Sequence, residues 1–391
     1  VTRALTLVGT LLLLAASPGA GAEADFRFAT LALPNGVWVG FSLLRTGSAT
    51  SAGALDNDVH GAGRSNAVNR LLWDHETRAY FGYRVEVTRH HPATGFRIAF
   101  SSLDPRAAEE TLGHASGSGV PTRLAAAAPR FPPPQDLAEG EVLTLELLAN
   151  PTTGERIYDV IKVSSEPISE SAMRAAVERV REGQSAVRRA SVHVARGRFA
   201  QAAAEFRRAL EIQPRDASLH NKLGICYQHL DNVVLARREY DQALRINPGY
   251  AEVWNNIGTL EQSRERLKEA VSAYRRAIRI KPELPTPWKN LGNAYLAQEK
   301  PEEAYEAYQE AFRLDPTILE SEGLGIPAAG IDAATQSFQF AKLAAAHGRV
   351  DLAVELLRRA RDAGFKDFDR VRTDPDFKTV VADPRFKALF E

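Results

Sequence analysis

Four prolines, Pro214, Pro248, Pro282 and Pro316, recur every 34 residues, and each closes the same apolar pattern. A fixed period of that length commits the segment to a stack of like supersecondary elements, because no single repeat can bury its own apolar face. Aromatic and aliphatic residues recur at steps of three and four, which places them on one helical face. Each repeat therefore has the length of two helices and a short turn. The proline stops the second helix, since it lacks a backbone donor and disfavours helix in the residue before it.

One repeat reads Trp288, Leu291-Gly292, Tyr295, Ala304, Tyr308, Ala311 and Pro316. The repeat before it carries Trp254, Ile257, Gly258, Ala270, Tyr274, Ala277 and Pro282, and the one before that Leu223, Gly224, Tyr227, Ala236, Tyr240, Ala243 and Pro248. Gly258 and Ala270 mark a close approach of two helix backbones, where a larger side chain would overpack the contact at about 1–3 kcal/mol. The first repeat, Gly183 to Pro214, departs from the pattern: its first helix has Ala186, Arg189 and His193, while its second keeps Ala202, Phe206 and Ala209. Atypical ends are the rule in such arrays. The signature residues are fold and not chemistry.

This pattern closely resembles the tetratricopeptide repeat family across residues 183–318. The resemblance implies an all-α solenoid whose concave face is lined by the second, fifth, ninth, twelfth and thirteenth positions of each repeat. Those are Ser218, Asn221, Ile225, Gln228 and His229, then Glu252, Asn255, Thr259, Gln262 and Ser263, then Thr286, Lys289, Asn293, Leu296 and Ala297. The set is rich in amides, which can both donate to and accept from an extended peptide backbone. Lys289 and Asn293 resemble part of the carboxylate clamp with which some family members hold a peptide C-terminus. A solvated face with no fixed ligand is the competing reading.

After Pro316 the phase breaks. Residues 319–333, with Gly323, Gly325, Pro327 and Gly330, read as an inserted loop. Phe340-Ala341, Ala353, Leu357 and Ala360 then resume the pattern, so residues 334–391 read as a degenerate fifth repeat and a C-terminal cap. The cap carries two similar helix starts, Asp374-Pro375-Asp376-Phe377 and Asp383-Pro384-Arg385-Phe386. Residues 167–182 read as a linker helix ahead of the repeats.

Residues 23–166 have another texture. Short β-branched and aromatic runs separated by turn residues predict strands at Phe26–Leu33, Val37–Leu44, Val68–Trp73, Tyr80–Thr88, Phe96–Ser101, Glu141–Leu148 and Arg156–Val163. The first two pair across Pro34-Asn35-Gly36 and the last two across Asn150 to Gly154. Gly/Ala/Ser-rich stretches at Thr46–Gly63 and Ala115–Gln135 interrupt the run. The expected fold class is an N-terminal β-sandwich-like domain followed by an all-α repeat solenoid.

The first 22 residues read as an export signal. Arg3 is the positive start, Ala4 to Ala16 the apolar run, and Ala20-Gly21-Ala22 the cleavage site. The run is shorter than the roughly 20 residues needed to cross a bilayer, so no stable membrane insertion is expected after cleavage. Val1 in place of methionine suggests an alternative start codon and a bacterial source. The expected location is the periplasm or the medium.

Lys and Arg number 49 and Asp and Glu also 49, so no overall charge draws the chain to nucleic acid. The single cysteine, Cys226, excludes an internal disulfide and aligns with apolar residues in the neighbouring repeats. Asp56-Asn57-Asp58 starts like a calcium loop, but the twelfth position is Ala67 where a bidentate Glu would be needed. His90-His91 are adjacent on a strand and so point to opposite faces. No phosphate loop, nucleophile elbow or zinc-protease helix is present, and no cofactor is expected. Two functions follow. The first is a non-enzymatic exported adaptor that binds a protein or peptide segment through its repeats. The alternative is a β-domain enzyme or carbohydrate-binding module, motivated by Trp38, Trp73, Tyr80 and Tyr83, with the repeats as a docking arm.

Overall fold

The computed structural model describes residues 28–33, 35–46, 55–56, 59–62, 66–74, 79–90, 95–103, 131, 134–149, 156–318 and 332–390. The expected export signal, the Asn150 to Gly154 turn and the insertion over 319–331 lie outside the described residues. The chain divides into two compact units, Val1–Asp216 and Ala217–Glu391.

The first unit holds two antiparallel sheets. Strands β1 (Phe28–Ala32), β2 (Trp38–Thr46), β10 (Arg156–Ser164) and β9 (Val142–Ala149) form one, in the order β1-β2-β10-β9. The other contains β3 (Leu55–Asp56), β4 (Val59–Ala62), β5 (Ala67–Asp74), β6 (Ala79–His90), β7 (Gly95–Ser102) and β8 (Gln135–Ala138), with β3 and β4 both paired to β5. The β1–β2 turn follows its residue chemistry: Gly36 adopts φ 75° and the Asn35 side chain accepts from Val37 N at 3.2 Å. Val39, Phe41, Ile157, Ile161 and Val163 from one sheet meet Val68, Leu72, Val85, Val87 and Ile98 from the other in a single buried core. β3, β4 and β8 are additions to the strands legible in the sequence, each four residues or fewer.

The outer face of the four-stranded sheet is also apolar, because a helix covers it. Leu44, Tyr158 and Val160 pack with Ile168, Met173, Ala176, Val177 and Val180. Gly40 permits this approach: a β-carbon there would lie 3.1 Å from Met173 Sδ. The covering helix, α1, runs unbroken over Glu170–Ala195. The stretch read as a linker and the first helix of the first repeat are thus one element, capped by Ser169, whose side chain accepts from Ala172 N at 3.2 Å. Gly183 lies buried within it on the side that packs against α2 (Phe199–Ile212), where a β-carbon would meet the Ile212 side chain at an ordinary 3.5 Å. Gln213 Nε2 donates to Thr144 Oγ1 at 2.6 Å, tying the end of α2 back to β9.

At the centre of the sandwich sits a charge pair. Arg70 Nε donates to Asp159 Oδ2 at 2.5 Å and Nη2 to Oδ1 at 3.1 Å, across the two sheets, with both side chains fully buried. The Tyr83 hydroxyl also donates to Asp159, and the Arg70 guanidinium lies 5.0 Å from the Phe41 ring centre. Burial works against the Arg70 charge, but Asp159 and Tyr83 outweigh it and its pKa rises.

The second unit is built from helix pairs: α3 (Ala217–His229) with α4 (Val233–Ile246), α5 (Ala251–Gln262) with α6 (Leu267–Ile280), and α7 (Pro285–Ala297) with α8 (Pro301–Leu314). Helices α2, α4, α6 and α8 each end two residues before a repeat proline. The intervening residue donates its N–H to an alanine carbonyl at 2.9 Å in all four: Gln213 to Ala209, Asn247 to Ala243, Lys281 to Ala277 and Asp315 to Ala311. A further pair, α9 (Ala333–Ala346) and α10 (Val350–Asp362), follows the insertion, with Asp332 capping α9 through Ala334 N and Thr335 N. The tail folds as α11 (Phe368–Thr373), a short 3₁₀ turn at Pro375–Phe377, α12 (Lys378–Val381) and α13 (Pro384–Phe390). Val371, Phe377, Val380 and Phe386 from this tail bury in the same apolar cluster as Phe338, Leu343 and Leu357. Lys342 Nζ, at 2.6 Å from Asp374 Oδ2, adds an ion pair between α9 and the tail.

Candidate functional site

The first helices α3, α5 and α7 lie side by side, joined by an amide row. Asn256 Nδ2 donates to Asn221 Oδ1 at 2.9 Å, and Asn290 Nδ2 donates to Asn255 Oδ1 at 3.0 Å. Gln228 Nε2 donates to Thr259 Oγ1 at 3.1 Å, and Thr259 in turn donates to Asn256 O at 2.8 Å. These bonds arise because the repeat period returns an amide to the same height on successive helices. Asn256 and Asn290, themselves one period apart, were not among the residues singled out from the sequence. The signal was there in the adjacent Asn255-Asn256 pair.

Several of the expected groove residues turn inward instead. Gln262 is only 2% exposed and accepts from the Tyr274 hydroxyl at 3.0 Å. Asn293, at 6% exposure, accepts from the Tyr308 hydroxyl at 2.7 Å and from Gln336 Nε2 at 2.6 Å. Leu296 packs against the apolar cluster of the last helix pairs. Asn221 is buried and its carbonyl oxygen is taken by Asn256. Lys289 Nζ donates to the Ile318 carbonyl at 3.1 Å, and burial lowers its pKa. Both residues that resemble part of a carboxylate clamp are therefore engaged by the chain's own groups.

What stays half-exposed on this face is Ile225, Gln228, His229, Glu252, Asn255 and Thr259. Glu252 Oε1 pairs with Lys281 Nζ at 2.8 Å, while its Oε2 is a buried oxygen with no hydrogen-bond partner among the described residues. Burial lowers the pKa of His229, which favours the neutral imidazole at neutral pH. The strip thus combines an apolar side chain, a neutral imidazole and amide groups held in fixed orientations.

In the β-rich domain, Trp38 packs with the cluster beneath α1 and Tyr83 is fully buried. Trp38 is only partly buried there, whereas the Tyr83 ring has no face open to a sugar. The side chains of Trp73 and Tyr80 lie outside the described residues. No group of three or more His, Cys, Asp or Glu that could hold a metal ion occurs among the described residues. No helix among them is long and apolar enough to cross a membrane.

Family profiles described as tetratricopeptide repeat match residues 187–251 and 285–318, and one described as TPR repeat matches residues 260–299. No curated protein sequence matches the chain. Among solved structures, the pilF protein of Pseudomonas aeruginosa is similar at 22% identity, over 52% of this chain and 90% of that one, with a TM-score of 0.37. TTC0263, a thermophilic TPR protein of Thermus thermophilus, is similar at 21% identity over 51% of this chain and 100% of its own, with a TM-score of 0.35. The first TPR of Spaghetti (RPAP3), bound to an HSP90 peptide, is similar at 16% identity over 31% of this chain and 95% of that one, with a TM-score of 0.29. Such repeats are typically non-catalytic and generally mediate contacts between proteins. The proline period, the helix pairs and the profile matches agree: across residues 187–318 this chain is a tetratricopeptide-repeat array.

Proposed function

We propose that the chain is an exported, non-enzymatic adaptor that holds an extended segment of a partner protein along α3 and α5. One observation carries the reading: the amide row fixes neighbouring first helices while Ile225, His229, Asn255 and Thr259 stay accessible beside it. Preformed polar groups beside an apolar contact suit a peptide backbone, because little ordering remains to be done on binding. The β-sandwich carries the first helix pair of the array through α1. The export part rests on the basic start, apolar run and Ala20-Gly21-Ala22 site.

The test is a peptide display library panned against the full chain and against an Ile225→Ser, His229→Ala, Asn255→Ala variant whose helix content is checked by circular dichroism. Segments selected on the native chain should bind the folded variant about tenfold more weakly or worse, as loss of central contacts does at other interfaces. Equal binding to both would rule this face out. Export is read separately, from the N-terminus of the protein recovered outside the cytoplasm, which should begin at Glu23.

A further inference from the structure

The chain is neutral overall, yet its repeats are not neutral one by one. Between Ala186 and Arg208 there are six arginines, Arg188, Arg189, Arg196, Arg198, Arg207 and Arg208, against one acid, Glu205. Glu205 answers only two of them: Arg189 Nη2 at 2.8 Å and Arg208 Nη1 at 3.5 Å. Arg188, Arg196, Arg198 and Arg207 are exposed and have no ion-pair partner among the described residues.

The first repeat also leaves its stacking face open. In the third and fourth repeats the equivalent positions are Ile257 with Leu260 and Leu291 with Ala294, all at most 4% exposed and packed against the preceding pair. In the first repeat they are Arg189 and Val192, each 48% exposed. A basic, uncovered helix face with an apolar centre is the result.

The fourth repeat has the opposite sign. Glu299, Glu302, Glu303 and Glu306 lie on or just before α8, are exposed, and likewise have no ion-pair partner among the described residues. In the repeats between, Glu261 alone receives Arg237, Arg264 and Arg266 at 3.0, 3.4 and 3.7 Å. The exposed charges there without an ion-pair partner among the described residues are of both signs, as with Lys268, Arg275, Arg276 and Arg279 beside Glu265, Glu269 and Glu283 in the third. The unmatched charge is thus mainly basic in the first repeat and mainly acidic in the fourth.

We propose that the basic face of the first repeat docks the acidic α8 of a second copy of this chain, giving a head-to-tail association. Such a contact is heterologous, so each copy keeps one face free for the next. Complementary exposed charge of this kind speeds encounter and sets register, and it weakens with salt.

The experiment is sedimentation of the full chain across a concentration series at low salt, where the Debye length is about 30 Å, and at about 1 M salt, where it is about 3 Å. Two reversal variants are run beside it: Arg196→Glu, Arg198→Glu, Arg207→Glu and Glu302→Lys, Glu303→Lys, Glu306→Lys, each checked for native helix content. The native chain should associate at low salt and dissociate at high salt. Each reversal alone should stay monomeric, and an equimolar mixture of the two should associate again. A native chain that is monomeric at low salt overturns the proposal. So does association that survives either reversal, or a mixture that fails to associate.

Discussion

The Tyr274 ring occupies the space that a side chain on Gly258 would need: a β-carbon built there would lie 2.4 Å from Tyr274 Cε1. The same relation holds for Gly224 with Tyr240 at 2.5 Å and for Gly292 with Tyr308 at 2.4 Å. Each tyrosine hydroxyl then donates to an amide oxygen on the first helix: Tyr240 to Gln228, Tyr274 to Gln262 and Tyr308 to Asn293. In the fourth repeat Leu296 stands where the others have glutamine, so Asn293 supplies the acceptor from one residue after the glycine.

Gly258→Ala should accordingly destabilise the array by about 1–3 kcal/mol, the usual range for overpacking a filled contact. A urea titration followed by helix signal would show a lower midpoint. An unchanged midpoint would mean that the ring moves aside at no cost.

The turn between the two helices of a repeat needs a left-handed residue. Gly197 and Gly348 provide it at φ 67° and 70°, but Asp231, Glu265 and Glu299 adopt φ 55°, 59° and 60° with a full side chain. Left-handed backbone costs a non-glycine residue roughly 1–2 kcal/mol, against a glycine entropy penalty of roughly 0.5–1 kcal/mol. Glu265→Gly should therefore raise stability slightly, by up to about 1 kcal/mol. A calorimetric Tm below that of the native chain would contradict this.

Asp159→Ala should cost about 3–5 kcal/mol, because it leaves the Arg70 charge buried without its partner. Arg70→Met with Asp159→Leu should cost much less, since neither charge then needs to be desolvated. Denaturant midpoints of the two variants compare the effects directly. A double variant as unstable as the single one would show that the cost lies in packing shape or in the Tyr83 hydroxyl left without its acceptor, and not in the Arg70 charge.

The Arg385 side chain and backbone N–H, both donating to Asp383, hold its carboxyl down to about 2 from 3.8. The folded value lies below the unfolded one, so this contribution is complete above about pH 4 and is lost as the pH falls towards 2. Carbon-detected NMR titration of the Asp383 carboxyl should give a midpoint near the lower value. In an Arg385→Ala variant the midpoint should rise towards the ordinary carboxylate range.

Much of this fold is legible along the chain. The proline period, the Gly–Tyr spacing and the alternating strands all depend on near neighbours or on a fixed repeat length, which a one-dimensional pattern records. Gly183 is where that reading loses the thread. It looks like the start of a new helix, yet it lies buried inside α1, where a β-carbon would meet the Ile212 side chain at an ordinary contact distance of 3.5 Å. The Arg70–Asp159 pair is equally silent, since 89 residues separate the partners and neither belongs to a motif. On the candidate face, Asn255 and Thr259 stay half-exposed. Position within the repeat could not show that Gln262 and Asn293 would be drawn inward by tyrosines from the second helices.

Helix α1 serves two masters, with its first half on the sheet and its second half in the first repeat. A cut anywhere within it would strip cover from Tyr158 and Val160 or leave α2 without its mate. The smallest exchangeable piece of this protein is therefore the sandwich together with one helix pair. A recombination event, natural or engineered, that grafts the sandwich onto another array must carry Glu170 to Ile212 along with it.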